Sequence, residues 1–147
     1  NMSGLFTYAT FNGDVSNWNV SNVTNMAVVF HNTNFTGDIS NWNVINVTNM
    51  AGLFMGAPFN GDISNWNVSN VTVMRSMFAE PSSQFNGDIS NWDVSNVTDM
   101  WDMFGRNTFF NQDLSSWDVE NVTKCRYFSQ NTPQWTLPKP NFPSCYY

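Results

Sequence analysis

Five aspartates, Asp14, Asp38, Asp62, Asp88 and Asp113, recur in one context: a residue of a turn signal, Asp, an aliphatic residue, then Ser. If copies of this segment stack, the carboxylates form a file about 4.8 Å apart. Such a file could collect calcium, which takes six to eight oxygen ligands. The competing use is structural: each Asp accepts backbone N–H groups at its own turn and the row stays solvated. The nonapeptide pattern of calcium-binding β-rolls is missing, which favours the structural use, so no cofactor is expected.

A second set of residues could carry sugar. Asn22, Asn46, Asn70, Asn96 and Asn121 each head Asn-Val-Thr, and Asn1, Asn19, Asn34 and Asn67 head further Asn-x-Ser/Thr triplets. All are acceptor sequons where the source makes N-glycans. The Asn-Val-Thr column also suits an amide ladder inside a turn, and a buried amide cannot carry a glycan. Asn19, Asn34 and Asn67 are therefore the preferred acceptors, ahead of Asn1 and the column. The matching Thr24, Thr48, Thr72, Thr98 and Thr123 read as helix N-caps.

Catalytic chemistry has little to work with. His31 is the one histidine, so a Ser/His/Asp set has no second chance, and two cysteines cannot make a four-ligand zinc site. Identical carboxylates in identical settings cannot divide acid and base roles, which need different environments. The net charge is −6, and Arg75, Arg106, Lys124, Arg126 and Lys139 are scattered, so the footprint of a nucleic-acid binder is absent. No apolar run reaches the ~20 residues of a membrane helix. Charged residues make up 11%, against a usual ~25%; amides and hydroxyls replace them, as is common in secreted proteins.

The elements that position these residues follow from a repeat. Copies start at Phe11, Phe35, Phe59, Phe85 and Phe110, and apolar columns align through them. One column is Val15, Ile39, Ile63, Ile89 and Leu114; another is Trp18, Trp42, Trp66, Trp92 and Trp117; Val, Met and Phe columns follow. A period of this length means a stacked array in which each copy buries its neighbour. Asn-Gly before Asp marks a turn, and Gly-Asp-Ile-Ser reads as a short strand. Thr98–Gly105, with Met100, Met103 and Phe104 at helical spacing, reads as a helix of one to two turns. Trp101 and Trp135 fall outside the Trp column and are candidates for partner contact.

The pattern F-N-G-D-I-S-x-W-[DN]-V-S-N-V-T-x-M-x-x-M-F resembles the BspA-like surface-protein repeats, a leucine-rich-repeat-related family, over residues 1–130. The resemblance implies a curved parallel solenoid on a microbial or protist surface, with an adhesive role and no catalytic residues. The tail after the last copy is similar to the cap that follows such arrays, which implies a Cys125–Cys145 disulfide pinning it. A disulfide in turn implies an oxidising, extracytoplasmic address.

The expected fold is a leucine-rich-repeat-like solenoid, each coil a short parallel β-strand plus a one- to two-turn helix. Residues 1–10 form a partial repeat, 11–131 five full coils, and 132–147 a disulfide-pinned cap. The expected function is a non-enzymatic extracellular structural and adhesive surface protein that associates with itself end to end into a fibre. The alternative is a protein- or glycan-binding recognition module of a larger adhesin.

Overall fold

Each repeat closes through a succession of tight turns, and side chains build most of the corners. Asp62 Oδ1 accepts the Ser64 N–H (2.9 Å) and Asn67 Oδ1 the Ser69 N–H (3.1 Å). Asn49 Oδ1 does the same for Ala51 (2.9 Å). Asp and Asn suit such corners because their short polar side chains bond the backbone two residues on. Backbone bonds three residues apart tighten each bend, as from Trp66 N–H to Ile63 O (3.1 Å) and Val71 N–H to Val68 O (2.8 Å). The computed structural model describes residues 1–145; Tyr146 and Tyr147, which belong to the expected cap, lie outside the described residues.

Residues 11–34, 35–58, 59–84, 85–109 and 110–131 form coils 1 to 5, with residues 1–10 as a half coil ahead of them. The strand-plus-helix architecture of the expected leucine-rich-repeat-like solenoid does not form. Among the described residues there is no α-helix and no multi-residue strand. The Gly-Asp-Ile-Ser segments run straight into a turn, and parallel pairing is confined to single bridges, Asn25 to Asn49, Asn49 to Val73, Val73 to Asp99 and Asp99 to Lys124.

The expected helix fails for a reason visible in its backbone. In Thr98–Gly105 and just beyond, Asp102 and Arg106 have φ of 55° and 64°, left-handed values that an α-helix cannot contain. The same two positions are left-handed in coil 1 (Val28, Asn32), coil 2 (Gly52, Gly56) and coil 3 (Ser76, Glu80). The N–H groups that a helix would use internally go outward to the next coil. Met100, Asp102, Phe104 and Arg106 donate to the carbonyls of Lys124, Arg126, Phe128 and Gln130 at 2.7–2.9 Å. The spacing of Met100, Met103 and Phe104 is matched by a chain of turns as well as by a helix, because both point those side chains inward.

A left-handed φ costs an L-residue roughly 1–2 kcal/mol, and two glycines spare coil 2 that strain. At Gly56 (φ 69°) an added Cβ would run into the Asn32 side chain of the coil before. Gly56→Ala is expected to destabilise by about 1–2 kcal/mol, read as a lower urea midpoint. An unchanged midpoint would mean that the coil relaxes at no cost.

Between the coils lies one continuous core. Phe30, Phe54, Phe78 and Phe104 stack along the axis at 5.5–5.9 Å. Each also meets a Phe of the next repeat start, such as Phe30–Phe35 at 3.9 Å and Phe78–Phe85 at 3.9 Å. Burying each such ring is worth about 1.5–3 kcal/mol. The last coil breaks the pattern: Phe128 and Trp135 turn edge-on to Phe104, at 5.4 and 5.1 Å, and close the stack.

Candidate functional site

The repeated polar rows are structural in geometry. Asp14, Asp38, Asp62, Asp88 and Asp113 are exposed, and each Oδ1 accepts the N–H of the Ser two residues on at 2.9 Å. These bonds hold all five carboxyls below the usual carboxylate range. The Ser hydroxyl is the main cause at Asp14, Asp62 and Asp113, and the Ser N–H at Asp38 and Asp88. At Asp38 the neighbouring charges of Asp14 and Asp62 push the other way.

A carboxyl lowered in the folded state stabilises above its unfolded pKa of about 3.9 and loses that contribution as pH falls through the lowered value. The urea midpoint is therefore expected to be insensitive to this row near neutrality and to fall below about pH 4. Ser64→Ala should raise the Asp62 titration midpoint in a carboxyl-carbon NMR titration. Ser90→Ala should move Asp88 less, since there the Ser N–H, which Ala keeps, is the larger cause; equal shifts would refute that division.

The Asn column forms a ladder, but onto backbone rather than amide to amide, and its residues are exposed rather than buried. Asn46, Asn70, Asn96 and Asn121 donate Nδ2 to the carbonyls of Ser21, Ile45, Ser69 and Ser95 in the preceding coil, each at 2.8 Å. Asn22 Nδ2 has no partner among the described residues. Asn19 and Asn67 are exposed and accept from Ser21 and Ser69 through Oδ1. Their Nδ2 atoms, and that of exposed Asn34, bond to no described residue; Asn1 accepts from Ser3. The Thr column caps no helix. Thr48, Thr72, Thr98 and Thr123 instead donate both N–H and Oγ1 to the carbonyl of the Thr one coil back.

The two tryptophans proposed for partner contact part company. Trp135 is buried; its indole N–H donates to Gln112 O (2.9 Å) and its ring meets Phe110 edge-on (4.7 Å between centroids). It is a plug of the core, set in the tail that the Cys125–Cys145 disulfide ties to coil 5. Trp101 is half-buried at the surface, with the Arg75 guanidinium 4.4 Å from its ring centroid and Tyr127 edge-on at 5.8 Å.

Around Trp101 the repetition stops. Arg75, Trp101 and Arg126 occupy one position in coils 3, 4 and 5, and Glu80 and Arg106 another. Arg106 pairs with Glu80 at 2.8 Å and approaches Asp102 at 3.6 Å. Burial pushes the Asp102 carboxyl up, opposed by Arg106. A shallow cavity of about 300 Å³ opens here, lined by Trp101, Asp102, Arg106, Tyr127, Gln130 and Asn131. Aromatic faces, a guanidinium and two amides suit recognition of a polar partner. Arg75, Glu80, Asp102, Arg106 and Tyr127 do not recur and so lie outside the columns; their signal is that the same positions hold uncharged Ala27, Val28 and Asn32 in coil 1 and Ala51, Gly52 and Gly56 in coil 2.

A family profile described as "Mycoplasma protein of unknown function, DUF285" matches residues 1–83 and again residues 58–142. The chain belongs to the DUF285 family. The two overlapping matches on the DUF285 chain follow its internal repetition, since a repeated sequence can satisfy one profile in more than one register. None of the curated proteins and none of the solved structures compared is significantly similar to it. Among its described residues no helix is long and apolar enough to cross a membrane.

Proposed function

We propose that this DUF285 chain is a non-enzymatic, extracellular structural and adhesive repeat protein, allied to the BspA-like surface repeats. It engages a protein or glycan through the face centred on Trp101. The observation that carries the reading is the contrast between faces. The Asp row accepts the same Ser N–H in every coil and the Asn row makes the same backbone bond from coil 2 to coil 5, whereas coils 3 to 5 gather Arg75, Trp101, Asp102, Arg106 and Tyr127 in one place. Repetition gives a rigid frame, and the break in it gives an address. The Cys125–Cys145 bond supports an oxidising compartment.

The recognition module takes precedence over the end-to-end fibre. Residues of the tail lie over coil 5, with Leu114 N–H donating to Pro138 O (3.1 Å) and Trp135 in the core. Copies stacking end to end would first have to displace this pinned tail. The test is binding of the immobilised chain to a glycan array and to a panel of extracellular-matrix proteins, beside an Arg75→Ala/Trp101→Ala variant. Binding lost in the variant supports the reading. Binding that survives the double substitution, or none at all, sinks it.

A further inference from the structure

The chain carries a net charge of −6, yet its three arginines, Arg75, Arg106 and Arg126, come together on coils 3 to 5. The carboxylates of this face are already engaged. Glu80 is held by Arg106 at 2.8 Å, Asp102 is buried with Arg106 at 3.6 Å, and Asp99 meets Lys124 at 3.5 Å. Arg75 and Arg126 are exposed, and among the described residues they make no ion pair and no side-chain hydrogen bond. Each is instead laid on an aromatic ring, Arg75 on Trp101 at 4.4 Å and Arg126 on Tyr127 at 4.7 Å. The two rings meet edge-on at 5.8 Å. Stacking fixes a guanidinium in place and leaves the N–H donors at its rim free for an anion.

The surroundings define the anion further. Arg75 and Arg126 occupy one position two coils apart, and the parallel bridges Val73 to Asp99 and Asp99 to Lys124 set their backbones about 10 Å apart. A ligand that uses both needs two separated charges, as a polymer charged on successive units has. The cavity beside them offers the carboxamides of Gln130 and Asn131. Asn131 also lines a second cavity of about 580 Å³, with the hydroxyls of Thr108, Ser129 and Thr132 and with Lys139. Amides and hydroxyls along such a trough suit a ligand rich in hydroxyls. A peptide finds less to hold. The N–H groups of Ser76, Phe78, Asp102 and Phe104 are spent on the next coil, so coils 3 and 4 leave no strand edge open for β-augmentation here.

We propose that the Trp101 face binds an acidic polysaccharide, the guanidiniums of Arg75 and Arg126 each taking a carboxylate or sulfate and Gln130 and Asn131 the sugar hydroxyls. This rests on the reading of that face as a binding site and names its ligand class. Arg106 does not take part in anion binding, because Glu80 and Asp102 already claim it.

Surface plasmon resonance on the immobilised chain tests this with polygalacturonate (carboxylate only), dextran sulfate (sulfate only), neutral dextran, polyglutamate and single-stranded DNA. The expected result is binding to polygalacturonate, dextran sulfate or both, which tells the two anions apart, and none to dextran. Binding should weaken about tenfold from low to high salt. Arg75→Gln and Arg126→Gln should each weaken it about tenfold by removing one charge-assisted contact. Both side chains are exposed and unbonded, so the melting temperature should stay put. No binding to either acidic polysaccharide, binding untouched by both substitutions, or an equal response to polyglutamate or DNA overturns the proposal. A neutral glycan or a protein whose binding is indifferent to salt but lost in the Arg75→Ala/Trp101→Ala variant overturns it too, while leaving the Trp101 face as the binding site.

Discussion

Trp66→Ala lowers the stability of the chain by about 3–5 kcal/mol, the cost of emptying a buried aromatic site. Trp66 is 4% exposed in the middle coil, beside Phe54 at 6.4 Å between centroids. Its indole N–H donates to Ile39 O at 3.1 Å. That carbonyl also accepts the Trp42 N–H at 3.1 Å, so losing the indole leaves it with one partner. Trp66→Phe should therefore cost much less, about 1–2 kcal/mol: one net hydrogen bond of 0.5–1.5 kcal/mol plus a small volume loss. Trp18→Ala, in the same column but 42% exposed, should cost less than Trp66→Ala. Calorimetry on the three variants checks the order. A Phe variant as damaged as the Ala variant would mean that the hydrogen bond, not packing, dominates the column.

Opening the Cys125–Cys145 bond is expected to cost about 3 kcal/mol, the chain-entropy value for a loop of roughly twenty residues. The tail would keep its other holds. Asn111 Oδ1 accepts the N–H groups of Thr136 (2.9 Å) and Leu137 (3.1 Å), Trp135 donates to Gln112, and Phe142 packs edge-on to Phe128 at 4.9 Å. The effect falls on the unfolded chain, which gains freedom, more than on native contacts. Thermal melts of the Cys125→Ala/Cys145→Ser variant, and of the wild-type chain with and without reductant, measure it. A drop in Tm of several degrees is expected, and a reductant-insensitive melt would show that the tail docks without covalent help.

Both results rest on parts of the molecule that differ in how openly the sequence displays them. The Trp, Phe, Met and Val columns could be read directly, because a residue that recurs at one position of every copy is set against its own copies when they stack. The local conformation could not. Met100, Met103 and Phe104 carry a helical spacing, yet Asp102 and Arg106 adopt left-handed φ, and neither residue type announces that. Glycine hints at it in the half coil (Gly4) and in coil 2 (Gly52, Gly56), but coil 1 places Val28 there at 52°. Inter-coil bonds from those N–H groups hold the conformation, and no local propensity contains them.

The recognition face has the same character. Arg75, Trp101 and Tyr127 are far apart in sequence, and what joins them is the stacking of coils 3, 4 and 5. Trp135 shows the reverse case: nothing in its sequence setting marks it as core, yet it takes the place of a repeat-start Phe, edge-on to Phe110, with Thr136 N–H donating to Asn111 Oδ1 as Thr36 N–H does to Asn12. By itself, the sequence determined which residues stack and which corners turn, since recurring apolar types and Asx turns act within one copy or against an identical one. Tertiary structure alone decided that coils are built of turns rather than strand and helix. It also decided where unlike side chains meet, because both depend on bonds and contacts made between copies.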